Sequence, residues 1–143
     1  MTMPATMPTI MNADLALQRA IYAHLAGDAA LDALVAGRIY DSVPGEAAFP
    51  YVTLGDALVT AFDTGDTCGA EHRLALNVWS RAGGRSEAKA ILGALHAALH
   101  DAPLMPEGHS LINLRFAEAE TRREPDGTTW RGVIRFRAVT EPI

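Results

Sequence analysis

The chain has 143 residues, 17 acidic and 12 basic, and a formal charge of −5, which argues against a general grip on nucleic acid because that grip rests on phosphate neutralisation by Lys and Arg. Its one cysteine, Cys68, leaves no internal disulfide and no Cys-based zinc site. No apolar run approaches the ~20 residues of a membrane-spanning helix, and residues 1–11 lack the basic start of a secretory signal.

The length predicts one domain with a normal core, spanning residues 12–143 behind a flexible N-terminal tail, residues 1–11, that holds Pro4 and Pro8. Asn12 or Asp14 caps a first helix to about Ala26, with Leu17, Ile21 and Leu25 on one stripe. Asp28 caps a short second helix in which Leu31, Leu34 and Val35 face inward and Gly37 ends the run. A short extended piece at residues 38–41 and a turn at Val43-Pro44-Gly45 lead into a strand over residues 49–54. Residues 57–70 are polar and read as a long mobile hairpin loop, with frayed strand at residues 58–62. Leu74, Leu76 and Val78 mark an interior strand over residues 72–80, and Gly83-Gly84 breaks it.

Ser86 caps the main helix, to about His100, with Ala88, Ile91, Leu92, Leu95 and Leu99 as its apolar stripe; Pro103 and Pro106 stop it. The chain closes on two long strands joined by Glu124-Pro125-Asp126-Gly127. Ile112, Leu114 and Phe116 alternate on one, and Trp130, Ile134 and Phe136 on the other, with Gly132 between. This period of two marks half-buried antiparallel strands. No βαβ series runs along the chain, so the expected class is α+β: a mainly antiparallel sheet of about four strands with two to three helices packed on one face.

Catalytic and metal-binding patterns are weak. Asp63-Thr64-Gly65 is the tripeptide of aspartic proteases, whose chemistry needs two such aspartates sharing a proton. Here another charge, Asp66, follows, and Ile91-Leu92-Gly93-Ala94 lacks the charged residue that follows glycine in the supporting motif; the same residues are also standard turn formers. His96 and His100 stand at metal-binding spacing, but Ala97 occupies the place of a zinc-protease glutamate. Cys68 has no identifiable base beside it beyond His72, four residues on. The expectation is therefore no enzyme, no cofactor and no metal. The acidic cluster of Asp56, Asp63, Asp66 and Glu71 reads as a solvated loop or a docking surface.

The arginines form the more informative pattern. Arg131, Arg135 and Arg137 share the face of the last strand opposite its apolar residues, and Arg115 with Arg122 or Arg123 neighbours them across the hairpin. Arg is favoured at protein interfaces and in bidentate carboxylate pairs. With Asp63, Asp66 and Glu71 as acidic complements, these arginines form a candidate subunit or tail interface.

Three ordered segments carry a family resemblance: Leu17-Gln18-Arg19-Ala20-Ile21-Tyr22; Gly37-Arg38-Ile39-Tyr40-Asp41-Ser42-Val43-Pro44; and Phe49-Pro50-Tyr51-Val52-Thr53-Leu54-Gly55. Leu76-Asn77-Val78-Trp79-Ser80 with Gly83-Gly84-Arg85-Ser86-Glu87-Ala88, and the closing Arg135-Phe136-Arg137-Ala138, complete the set. Across residues 15–140 the chain resembles the tail-terminator, or tail-completion, proteins of long-tailed phages, prophages and gene transfer agents. The resemblance implies a structural virion protein without catalysis, assembled in the cytoplasm of a bacterial host. It also implies a ring of identical copies, typically a hexamer, at the head-proximal end of the tail tube. The ring ends tube growth and docks the capsid neck. The implied partners are the chain itself, the tail tube protein and a neck or head-completion protein, with double-stranded DNA passing through the lumen without specific binding and no membrane. Two other readings are a head-completion or connector protein of the neck and, more remotely, an aspartic-protease-like enzyme using Asp63.

Overall fold

A computed structural model describes residues 9–65 and 67–143. The elements follow in order: α1 (Thr9–Ala26), α2 (Ala29–Val35), β1 (Ile39–Tyr40), β2 (Tyr51–Thr64), β3 (Thr67–Ser80), α3 (Ser86–Leu99), β4 (His109–Arg123) and β5 (Trp130–Pro142). The strands form one mixed sheet in the order β1-β2-β3-β5-β4. Only the β1–β2 pair is parallel; the other three are antiparallel. The class is α+β, as the sequence predicts, with five strands rather than four, because Ile39-Tyr40 adds a two-residue edge.

The helices cover one sheet face. Leu17, Ile21 and Leu25 of α1, Leu31 and Val35 of α2, and Ala88, Ile91, Leu92, Leu95 and Leu99 of α3 are buried with Leu76, Val78, Leu114, Ile134, Phe136 and Ala138 of the sheet. Burying such side chains stabilises the fold by about 1.5–3 kcal/mol each relative to exposure. Gly132 shows how closely α3 approaches: a Cβ there would lie 3.0–3.3 Å from three atoms of Leu92. The Asp28 cap forms as predicted, its carboxylate accepting the Leu31 N–H at 2.9 Å.

Four local expectations are corrected. First, α1 begins at Thr9, ahead of Asn12 and Asp14, which lie inside the helix rather than at its cap. Residues 1–8 of the expected tail lie outside the described residues. Second, Leu34 is exposed while Leu31 and Val35 are buried, so the short α2 offers a narrower face to the core. Third, residues 57–70 are not a loop. β2 and β3 pair from Tyr51↔Trp79 to Thr64↔Thr67, with Gly65 at positive φ in the turn. Ala61, Phe62 and Asp63 are all exposed, so the β2 side of this end leaves no apolar alternation to read, although Ala70, paired with Ala61, is buried. Fourth, irregular register between Leu111 and Asn113 turns Ile112 outward, leaving Leu114 buried and Phe116 partly exposed.

Candidate assembly surface

Because the helices occupy one face, the other is uncovered among the described residues, and strand alternation decides what stands on it. β5 contributes Arg131, Arg135 and Arg137. The register sets Trp79, Ala75 and Arg73 of β3 opposite them on one side, and Arg122, Glu118 and Arg115 of β4 on the other. A shallow concavity of about 410 Å³ lies over this face, bounded by Asp56 and Leu58 on one flank and Glu118 on the other.

Each of the three arginines is held within the chain. Arg131 donates from Nε and a terminal nitrogen to Asn77 Oδ1 at 3.1 and 3.0 Å, and its guanidinium lies 5.2 Å from the Trp79 ring centroid. Arg135 donates to Glu118 at 3.0 Å and to Glu120 at 3.2 Å. Arg137 donates from Nε to Glu71 and lies 5.8 Å from the Phe62 ring centroid. Arg73 stands 3.7 Å from the same Glu71 carboxylate. The hydrogen bond from Arg137, aided by the charges of Arg137 and Arg73 and by Thr60, holds the Glu71 carboxyl below its ordinary range against the opposing effect of desolvation. The result is a cross-strand lattice of cations and carboxylates rather than a free cationic patch.

The structure therefore brings Glu71 to Arg137 and gathers Arg131, Arg135 and Arg137 on one face. It does not bring Asp63 to them: Asp63 pairs in register with Cys68 near the hairpin turn, and the adjacent Phe62, not Asp63, shares the arginine face. Asp66 lies outside the described residues. Glu118 and Glu120, the partners of Arg135, went unread in the sequence. Their signal is the Glu-x-Glu spacing on β4, which sets both on one face of the strand. Asn77, the partner of Arg131, has no comparable signal.

The catalytic candidates stand as follows. Asp63-Thr64-Gly65 is the end of β2 and the turn after it, with Asp63 exposed. The His96 and His100 rings stack at 5.1 Å. His100 Nδ1 accepts the Phe116 N–H at 3.0 Å and Nε2 lies 3.4 Å from Asp101, so this imidazole closes the margin of β4. Cys68 is free and exposed. Among the described residues, no three His, Cys, Asp or Glu side chains gather as metal ligands, and no helix is long and apolar enough to cross a membrane.

A helix-backed sheet with an ion-paired open face defines a protein that presents a surface, and the comparisons with known proteins say which kind. The chain belongs to the family described as Tail completion protein gp17, whose model matches residues 19–141. It is 32% identical over 127 residues to the tail completion protein gp17 of Bacillus phage SPP1, covering 87% of this chain and 92% of that one. It also matches a chain in the solved virion of a native gene transfer agent particle, with a TM-score of 0.86 and 37% identity over 90% of this chain and 97% of that one. The protein is thus a structural tail component of a phage or gene transfer agent virion.

Proposed function

We propose that copies of this chain close into a ring, hexameric in the simplest case, at the head-proximal end of the tail tube. The ring stops tube polymerisation and forms the surface on which the capsid neck docks. It acts by shape and contact, without catalysis. The observation that carries this reading is the uncovered arginine–carboxylate face on a domain of the tail completion family. A head-to-tail contact whose rotation closes makes a ring from one repeated interface. Charged lattices at such a contact fix register and reject wrong partners more than they add affinity.

Arg131, Arg135 and Arg137 with Glu71 supply the ordered part of a subunit or tail interface, and Asp63 and Asp66 supply further acidic charge to it. The partners are a second copy, the tail tube protein and a neck protein. A chain of net charge −5 repeated around a lumen repels phosphate, so double-stranded DNA slides through without being held.

Disrupting the gene tests the reading. Overlong or headless tails under the electron microscope are expected; normal joined particles refute it. Immunogold labelling placed on the capsid side of the neck, away from the tube end, would make the protein a head-completion or connector protein instead.

A further inference from the structure

We infer that the repeated contact includes a strand pairing between copies: the outer edge of β2 in one copy against the outer edge of β4 in the next. This rests on the ring proposed above and adds backbone pairing at the sheet margins to the side-chain contact of the arginine–carboxylate face.

Both margins of the sheet are half-covered, and at opposite ends. On the β2 side, β1 reaches only Val52 and Thr53. Among the described residues no strand and no backbone hydrogen bond covers the outer side of β2 from residue 57 to 64. On the β4 side, the chain after α3 closes the margin locally. The Asp101 N–H donates to the Leu114 carbonyl at 2.8 Å, and His100 accepts the Phe116 N–H. From residue 117 to 123 that margin is open in the same sense.

An exposed strand edge is a template for pairing, and edges meant to stay alone carry Lys, Pro, bulges or a cover. The open β2 segment, Ala57-Leu58-Val59-Thr60-Ala61-Phe62-Asp63-Thr64, has none of these. It also holds Leu58 at 59% and Phe62 at 39% exposure. β2 carries two acids, Asp56 and Asp63, and no base, and neither acid makes an ion pair among the described residues. The open β4 segment holds Glu118 and Glu120, both already paired with Arg135, and ends in Arg122 and Arg123, the only bases on either open edge. The charges thus favour β2 against β4 over β2 against a second β2.

Strand direction agrees. Three antiparallel steps separate β2 from β4, so the two run oppositely and a β4-to-β2 contact continues the antiparallel pattern. The two open segments lie at opposite ends of the strands, so full overlap shifts each copy by about seven residues, ~23 Å, while four strands advance the sheet by ~19 Å. The strands then incline to the ring axis by roughly 50°, near the upper end of the tilt at which sheets close into barrels.

Cysteine pairs test the contact in a Cys68→Ser background. Ala61→Cys is combined with Ala119→Cys or with Thr121→Cys, one pair per chain, and each single variant serves as control. Within one chain β3 and β5 lie between these positions, so a disulfide reports a neighbour. Oxidised protein, free and on purified tails, is run under denaturing conditions beside native mass measurement. A covalent ladder rising to the mass of the ring, absent from the single variants, is the expected result. A ladder that stops at two overturns the inference. Intact rings with no covalent multimer from either pair overturn the edge assignment and leave the ring standing. Single copies on tails overturn both. Ala61→Lys supplies an independent reading: the folded monomer is retained and the ring is lost, whereas rings at unchanged concentration contradict the inference.

Discussion

Gly55 is the position where one methyl group tests the geometry of the open face. It lies in the irregular stretch of β2 between Leu54 and Ala57. An added Cβ would stand 2.6 Å from Asn77 Nδ2 and 3.0 Å from the Ala75 carbonyl oxygen. Its φ is not in the left-handed region, so the constraint is space. Asn77 is buried, and its Oδ1 takes both bonds from Arg131, so the amide cannot turn away without releasing them. Overpacking at a filled site costs about 1–3 kcal/mol, and a lost hydrogen bond to a charged group about 1.5–3 kcal/mol. The stiffer unfolded chain returns about 0.4–1 kcal/mol. Gly55→Ala should therefore destabilise by about 2–4 kcal/mol, or roughly 6–12 °C in Tm for a chain of this size. Urea and thermal unfolding measure it. Adding Asn77→Ser removes the nearer clash and should recover part of the loss, leaving the carbonyl contact. A Gly55→Ala cost below about 0.5 kcal/mol, the level of an ordinary surface change, would refute the reasoning.

Other measurements probe separate parts of the molecule. His72 is buried, its Nε2 lying 2.9 Å from Thr140 Oγ1. Burial lowers its pKa below 6.5; Asp14 opposes the shift and His109 adds to it. The unfolded state then binds the extra proton, so stability is full above pH 6.5 and falls as the pH drops below it, by up to about 1.4 kcal/mol per unit. Subtracting the stability–pH curve of His72→Gln should isolate that slope, and two parallel curves would contradict it. Arg135→Glu sets a third carboxylate beside Glu118 and Glu120. Exposed pairs contribute about 0.2–1 kcal/mol each, so folding should lose about 1–2 kcal/mol while native mass measurement shows the ring lost; rings of unchanged salt sensitivity would reduce this face to a solvated one. Leu95→Ala, at a fully buried position of α3, should cost about 2–5 kcal/mol in urea unfolding. A cost under about 1 kcal/mol would mean that α3 packs less tightly on the sheet than its burial indicates.

Periodicity alone determined the elements whose two faces meet different surroundings. The α3 stripe, the β5 alternation and the Asp28 cap were legible because one side of each meets a core and the other meets water, and the sequence must record that difference. The same alternation placed Arg131, Arg135 and Arg137 together. It failed at the β2–β3 hairpin, where the β2 residues near the turn, Ala61 to Asp63, are all exposed and polar side chains there cost the strand nothing. It failed at Ile112, where a single bulge changes which face a residue occupies without leaving a mark in the pattern. The partners of the arginines, the closure of one end of the β4 margin by His100 and Asp101, and the two open half-edges were decided only by tertiary structure. Each depends on strand order and register, which join residues as distant in sequence as Glu71 and Arg137 and which no local pattern encodes.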